Sequence, residues 1–391
     1  MKRILFMHQA STIGGGSYCL LNILREIDKS NIEPIVCLAS DGPLRMEIEK
    51  LGIEVVIFTQ MAAIPYNRSL WSYSSARAYW RVKQSISSFK QLLNDKNIDV
   101  VYLNNMMIYK YLKPAKECGC KTVLHCREHW PLDEHLTQLQ WARNAVYKYA
   151  DELIAINSYS ASIFPKKKAT IVYDWIDMDS RYEKRPMDDI FGEDTSNLKI
   201  YLFTGGLLRI KGAYQVLYAF HTFIHDSNSR LLFLGYDVSV SRQSPKYVLK
   251  LFLYMLGFDI NEIKCLRLIK QDKRIVCVPS TYMITDIIKQ SYCMLSYFTI
   301  PHANLALAEC LILGIPVIAA NTEEAIEYSK GCLKNELFKI NDINDFKSKL
   351  LMYNSDEAKH RVLQKTSQIK EMMSKEKNVK MLNAVLKSFI D

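Results

Sequence analysis

The sequence predicts an α/β protein made of two doubly wound domains facing each other across a cleft. Three observations carry that expectation. The chain has 391 residues, too many for one compact core, so two domains of roughly 150–200 residues each are expected. Short β-branched apolar runs alternate with helical patterns throughout, the signature of parallel strands joined by crossover helices. A polar stretch, 174–197, with six Asp and two Glu and no clear period, separates two such series.

In the first series, strands are expected near 2–8, 32–40, 53–59, 99–105, 121–126, 152–157 and 168–174. Helices fall between them, near 15–29, 42–51, 74–93, 107–117 and 133–150. The second series places strands near 199–205, 230–236, 274–279, 292–298 and 316–320. Its helices lie near 212–226, 246–257, 281–290, 304–313 and 343–353. Residues 356–390 keep a helical pattern without Gly or Pro, so one long helix is expected there. The domain reading is therefore 1–175, a connection over 176–197, a second domain over 198–370, and a terminal helix, 371–391, expected to return to the first domain. No internal repeat or low-complexity tract appears.

Apolar residues make up 49% of the chain and charged residues 24%, an ordinary globular composition. No apolar run reaches the roughly 18–20 residues that a membrane-spanning helix needs. The start, Met1-Lys2-Arg3 followed by Ile4-Leu5-Phe6-Met7-His8, is basic and then apolar, but the run is too short for a signal peptide and reads as a buried strand. Ten scattered cysteines without a Cys-x-x-Cys pair point to reduced thiols and a cytoplasmic location. Cys118, Cys120 and Cys126, with His125 and His129, lack the paired spacing of a zinc site and read as buried thiols.

The net charge of +10 is concentrated in two windows. Residues 241–274 hold eight Lys/Arg against three acids and read as solvated helix faces. Residues 65–91 hold five Lys/Arg and no acid, with Trp71, Tyr73, Tyr79, Trp80 and Phe89 interleaved among Arg68, Arg77, Arg81, Lys83 and Lys90. A basic, aromatic, amphipathic stretch of that kind suits an anionic membrane surface, with Trp71, Arg77, Trp80 and Arg81 as the contacts. An ordinary core helix is the plain alternative. No nucleic-acid-binding module accompanies the stretch, so no nucleic-acid partner is expected.

Ligands of open parallel sheets bind outside the carboxyl ends of the strands. The first strand ends at His8 and leads through Ser11-Thr12-Ile13-Gly14-Gly15-Gly16-Ser17 into a helix. Glycines there let a phosphate or sugar approach the backbone, and the helix start supplies free N–H groups. The spacing differs from that of a dinucleotide-binding Gly-x-Gly-x-x-Gly. The second domain opens alike, with Gly205-Gly206-Leu207-Leu208-Arg209-Ile210-Lys211-Gly212 after a strand; two cations beside a helix start suit a diphosphate. Asn304 is a good N-cap, Gly314 a good helix stop, and the amides of 305–307 are expected to point outward. Glu309 is the sole charge of that apolar helix; a ribose diol would satisfy it, and a backbone or Lys partner is the plain alternative.

These segments resemble glycosyltransferase family 4. Residues 205–212 are similar to its Gly-Arg-Leu-x-x-x-Lys-Gly turn, and 301–319 to its Glu-x7-Glu stretch with the Gly-x-Pro-Val-Ile-Ala continuation. Ala150-Asp151 to Ser158, Val172-Tyr173-Asp174-Trp175-Ile176-Asp177 and Val123-Leu124-His125-Cys126-Arg127-Glu128 match further segments in the same order. The resemblance implies the GT-B fold, two Rossmann-like domains, and retaining sugar transfer from a nucleotide-diphosphate donor. It places Lys211 on the donor diphosphate with Arg209 close by, Glu309 on the donor ribose, and His125 near the reacting sugar. Gly15, Gly16, Gly205, Gly206, Asn304, Leu305 and Ala306 would border the donor. No metal and no cofactor beyond the co-substrate are expected, since cations and helix ends neutralise the leaving group. Front-side attack or a short-lived ion pair needs no carboxylate nucleophile.

Two positions depart from the family. Pro301 stands at the first Glu of the motif, and Gly206 at its Arg, for which Arg209 substitutes only with its side chain turned inward. The leading expectation is a metal-independent, retaining hexosyl- or related glycosyltransferase of surface polysaccharide or glycolipid synthesis. Its acceptor would be a saccharide or lipid-linked saccharide, with the chain peripheral on the inner face of the membrane. A catalytically silent relative that binds a nucleotide sugar or a partner, and a sugar-nucleotide epimerase of similar fold, are the alternatives; the epimerase would need an acid/base pair of carboxylates.

Overall fold

A computed structural model describes the chain except for residues 67–68, 131, 133–134, 177–186, 240–244, 280–283 and 390–391 and the side chains of Pro245 and Lys246. Arg68, Asp177, half of the expected 176–197 connection and the start of the expected 281–290 helix therefore lie outside the described residues. The chain divides into two compact units, Met1–Ile176 with Met372–Asp391, and Asp177–Glu371.

The first unit is built on a parallel sheet in the order β3-β2-β1-β4-β5-β6-β7. Its strands are β1 Lys2–His8, β2 Ile32–Leu38, β3 Glu54–Ile57, β4 Val100–Leu103, β5 Lys121–Cys126, β6 Glu152–Ala155 and β7 Thr170–Ile171. Helices α1 Gly15–Glu26, α2 Pro43–Glu49, α3 Tyr73–Asp95, α4 Leu112–Glu117, α5 Leu136–Tyr149 and α6 Ser158–Ser162 connect them. Successive side chains of a strand point to opposite faces. Leu5, Met7, Val101 and Leu103 accordingly enter one core layer, while Ile4, Phe6, Val100 and Tyr102 enter the other. The order reverses between β1 and β4, where Met7 pairs with Leu103; the loops after these two strands open at that switch point.

The second unit has a parallel sheet in the order β10-β9-β8-β11-β12-β13. It comprises β8 Lys199–Phe203, β9 Ser229–Leu234, β10 Ile275–Val278, β11 Cys293–Ser296, β12 Val317–Ala320 and β13 Leu337–Phe338. Its helices are α7 Met187–Phe191, α8 Ala213–Phe223, α9 Pro245–Met255, α10 Asn261–Gln271, α11 Ile284–Lys289, α12 Leu305–Ile312, α13 Glu323–Ser329, α14 Ile343–Leu351 and α15 Ser355–Met372. The switch point falls between β8 and β11, whose partners are Cys293 with Tyr201 and Met294 with Leu202. Helix α16, Lys375–Lys387, belongs to the first unit and inserts Leu382 and Leu386 into its core.

Several expectations are corrected. The terminal stretch is two helices, because Ser374 leaves helical geometry and caps the second one by accepting from the Lys377 amide at 3.2 Å. Buried Asn378 fixes the break: its amide donates to the carbonyls of Met372 and Ser374 at 2.9 and 2.8 Å, and its oxygen accepts from the Tyr173 amide at 2.8 Å. The acid-rich connection contains α7, whose Met187 is buried. Helices α6, α10 and α13 and strand β13 were not expected; all but α10 are too short for a hydrophobic period to register. Within 241–274, Arg267, Lys270 and Lys273 are exposed, as expected of solvated faces, but α9 also turns apolar side chains to water, which was not expected.

No described helix is long and apolar enough to cross a membrane. All ten cysteines are free thiols. Cys120 donates to the Ile98 carbonyl at 3.1 Å, and Cys126 to that of Glu128 at 3.7 Å. Among the described residues no three His, Cys, Asp or Glu side chains converge on a metal position.

Candidate functional site

The strand ends of each unit gather a polar group that the core does not need. In the first unit it is a chain of oriented hydrogen bonds rooted in one ion pair. Arg127, just past β5, pairs with Asp174, and the two side chains are only 7% and 11% exposed. Burial opposes the guanidinium charge, but Asp174 outweighs it, so the Arg127 pKa is raised and the cation persists.

Arg127 Nε donates to Asn104 Oδ1 at 3.0 Å, which fixes the Asn104 amide with its nitrogen toward His8 Nδ1, 3.2 Å away. His8 Nδ1 is then an acceptor, and Nε2–H donates to Ser17 Oγ at 3.0 Å. Ser17 in turn donates to the Thr12 carbonyl at 2.8 Å. Burial, reinforced by Arg127, lowers the His8 pKa to about 3, so the relay works with a neutral imidazole. It ties the glycine loop to the end of β1.

The same arginine orients His125, the strand-end histidine singled out in the sequence. His125 Nδ1 lies 2.5 Å from the Tyr102 hydroxyl and 3.4 Å from an Arg127 N–H. Arginine only donates, and burial raises the Tyr102 pKa so that its hydroxyl stays protonated. Two donors on Nδ1 leave the proton on Nε2. Burial and then Arg127 hold the His125 pKa well below its usual value, so the ring is neutral. Its Nε2 is buried and has no hydrogen-bond partner among the described residues. His125 is therefore a preset donor rather than a base.

Glu128 completes this group. Its carboxylate accepts from the amides of Met106 at 2.6 Å and Arg127 at 3.3 Å, and burial raises its pKa to about 7. The glycine loop beside it has no internal need for glycine. A Cβ on Gly14 or Gly15 would meet nothing within 4 Å, and one on Gly16 only His8 Cε1 at 3.8 Å. Gly15 and Gly16 thus open the N-terminus of α1 to whatever approaches its free amides.

In the second unit the glycines of the turn after β8 are structural. A Cβ on Gly205 would sit 2.3 Å from the Phe203 ring, and one on Gly206, at φ +55°, 2.8 Å from the Gly235 carbonyl oxygen. Gly212, at φ +70°, would place it 2.1 Å from the Tyr297 carbonyl oxygen. These contacts pin the turn that carries Arg209 and Lys211. Lys211 is partly buried, which lowers its pKa, and its Nζ lies 6.0 Å from the Phe298 ring centre. It has no carboxylate partner among the described residues. Arg209 is different: its side chain is 75% exposed and lies 3.8 Å from Asp259.

Asn304 is the N-cap of α12, as its position suggested. Its oxygen accepts from the Leu307 amide at 3.2 Å and its nitrogen donates to Ser296 Oγ at 2.7 Å, tying the helix start to the end of β11. Leu307 is therefore spent on the cap, a correction to the three outward amides expected; those of Leu305 and Ala306 have no partner among the described residues. On the same helix the Glu309 carboxyl makes no hydrogen bond or ion pair with a described residue, and burial raises its pKa to about 7. A lone cation, two free amides and a half-buried carboxyl on one unit suit a ligand with an anionic group and a hydroxyl pair.

Trp71, Arg77 and Trp80 are exposed at and near the start of α3, and Arg81 reaches back to the Thr59 carbonyl at 3.0 Å. Phe89 lies in the core, and Tyr79 is half-buried with its hydroxyl 3.2 Å from that of Tyr109. A separate cavity of about 300 Å³ is lined by Glu336, Tyr353, Glu357 and Arg361, among others, and by none of the residues discussed above. Its Arg361 is neutralised by Glu336 and Glu357. Sequence reasoning gave a role to His125 but none to Tyr102, Asn104, Arg127 or Asp174, although Arg127 and Asp174 stand in segments already singled out. The available signal was a polar residue at the end of each apolar run.

No protein-family model and no curated protein matches the sequence. Solved structures do. The Anabaena protein HepE, crystallised with UDP-glucose, is similar at a TM-score of 0.73 and 16% identity over 99% of this chain and 100% of that one. The lipopolysaccharide outer core galactosyltransferase WaaB follows at 0.61 and 15%, over 99% of both chains. A putative UDP-N-acetylglucosamine 2-epimerase from Listeria monocytogenes is similar at 0.60 and 12%, over 93% of this chain and 91% of that one. With its two Rossmann-like parallel sheets, the chain has the GT-B fold.

Proposed function

We propose that the chain is a glycosyltransferase that takes a sugar from a nucleotide-diphosphate donor. The observation that carries the reading is the set on the second unit, none of which has a partner among the described residues: the Lys211 ammonium, the amides of Leu305 and Ala306, and the Glu309 carboxyl. In the proposal Lys211 and the helix start neutralise the leaving diphosphate, and Glu309 accepts from the ribose hydroxyls. That HepE was crystallised with UDP-glucose supports a uridine donor. His125 Nε2–H would donate to a sugar oxygen, and the glycine loop would admit the donor phosphates.

The chemistry proposed is retention. The bond from the anomeric carbon to the diphosphate oxygen breaks while an acceptor hydroxyl bonds to the same face, and its proton passes to the departing phosphate. No metal is invoked, because Lys211 and the amides of the helix start supply the charge. The acceptor proposed is a saccharide or a lipid-linked saccharide. The proposed location is the cytoplasmic face of a membrane, with Trp71, Arg77, Trp80 and Arg81 toward anionic lipid.

The test is release of nucleoside diphosphate from a panel of nucleotide sugars, with and without lipid extract and with EDTA. Acceptor-dependent release that resists EDTA and falls about a hundred-fold or more in Lys211→Ala is expected. Binding of donor without turnover would instead favour a silent relative, the reading motivated by Pro301 and Gly206 and supported by Arg209 lying beside Asp259. An altered donor sugar would favour an epimerase.

A further inference from the structure

A crossover between neighbouring parallel strands needs one helix. Between β9 and β10 the described residues include two long ones, α9 and α10. Helix α10 serves the crossover: Ile263, Cys265 and Leu266 are buried, and Cys265 joins the core around Phe220 and Phe233. Helix α9 adds no described residue to that core.

Its orientation is inverted. Val248, Leu249, Phe252, Met255 and Leu256 form one stripe at helical spacing, and all face water, from 56% to 75% exposed. Phe258, in the turn that follows, is exposed as well. The polar side is the one turned inward. Lys250 pairs with Glu262 of α10, and the Tyr254 hydroxyl accepts from Arg267 of α10 at 2.9 Å. A soluble surface helix buries its apolar stripe; this one presents it.

Charge identifies what covers the stripe. The three acids of 241–274 are all taken by cations of the same window: Asp259 by Lys264 at 2.6 Å, Glu262 by Lys250, and Asp272 by Arg274 at 2.7 Å. Arg267, Lys270 and Lys273 remain exposed, with no acidic partner among the described residues. A second copy would set these positive surfaces against each other. An exposed apolar stripe on a segment whose surplus charge is positive fits an anionic lipid surface.

We propose that α9 is an interfacial helix that seats the second unit on anionic lipid. This site lies on a different unit from the α3 aromatics and does not depend on the sugar-transfer reading. The experiment is flotation of the full chain with vesicles of phosphatidylcholine alone, and with half of it replaced by phosphatidylglycerol. The chain is expected to float with the anionic vesicles only. The triple variant Leu249→Ser/Phe252→Ser/Met255→Ser should bind at least about ten-fold more weakly. Lys270→Gln/Lys273→Gln should weaken anionic binding about thirty-fold. Both should melt as the wild type does, because the altered side chains face water.

Flotation of the serine variant at wild-type levels overturns the proposal, as does an absence of vesicle binding by the wild type. Loss of binding in Trp80→Ser alone would move the contact to α3. A concentration-dependent dimer that the serine variant abolishes, without vesicle binding, would assign the stripe to a second copy.

Discussion

Replacing Asp174 by Asn removes one charge from an ion pair that water scarcely reaches, while leaving the shape of the side chain almost unchanged. Arg127 is then a cation with 7% of its side chain exposed and no counter-ion. Breaking a buried pair on one side costs about 3–5 kcal/mol, more than the hydrogen bond that Asn retains gives back. For a unit of this size each kcal/mol moves the midpoint by about 2–4 °C, so a drop of roughly 6–20 °C is expected. Thermal unfolding followed by circular dichroism reads it, with Arg127→Leu/Asp174→Leu as the control. Removing both charges should recover much of the loss, because neither ion is stranded. If Asp174→Asn melts within about 1 °C of the wild type, or the double variant loses the sum of the single ones, the assignment of Arg127 as a desolvated, Asp174-dependent cation is wrong.

Three further outcomes follow from the geometry. Gly212→Ala should destabilise by several kcal/mol, on the order of a core clash at positive φ, because its Cβ would meet the Tyr297 carbonyl at 2.1 Å; Gly15→Ala should leave the melting temperature unchanged and lower donor turnover at least about ten-fold, and equal effects on stability would refute the distinction. Glu128, held at about 7 in the fold against 4.5 ordinarily, binds its proton more tightly folded than unfolded, so its contribution is fully present below pH 4.5 and lost as pH rises through 7. Glu128→Gln should accordingly gain roughly 3 kcal/mol over wild type between those limits in denaturant titrations, and a pH-independent difference would count against it. His125→Ala should reduce turnover on the order of a hundred-fold by removing the Nε2–H donor, with partial rescue in His125→Gln and no new pH dependence between 6 and 8.

The strands were legible because buried parallel strands are continuous apolar runs bounded by small or polar residues. β1, β5 and β8 stand where Ile4-Leu5-Phe6-Met7, Val123-Leu124 and Ile200-Tyr201-Leu202-Phe203 place them. The N-cap of α12 was legible too, since Asn304 precedes an apolar helix and its cap is a local bond. Hidden from the sequence was everything joined across distance. Asp174 meets Arg127 across 47 residues and Asn104 meets His8 across 96, and neither spacing has a local signature.

Helices α9 and α10 show the division most sharply. By pattern, 246–257 is the apolar crossover helix, and the more charged 261–271 passes unnoticed. In the fold the charged helix covers the sheet with Ile263 and Leu266, and the apolar one stands outside. Hydrophobic periodicity establishes that a helix has an apolar face; it does not establish what that face meets, because burial is settled by which of two candidate helices reaches the sheet first in space. The sequence alone therefore determined the two α/β series, their strand ends and the N-cap of α12. Tertiary structure alone decided the proton position on His125, the lack of a described partner for the Glu309 carboxyl and the outward face of α9, since each depends on neighbours that no local pattern contains.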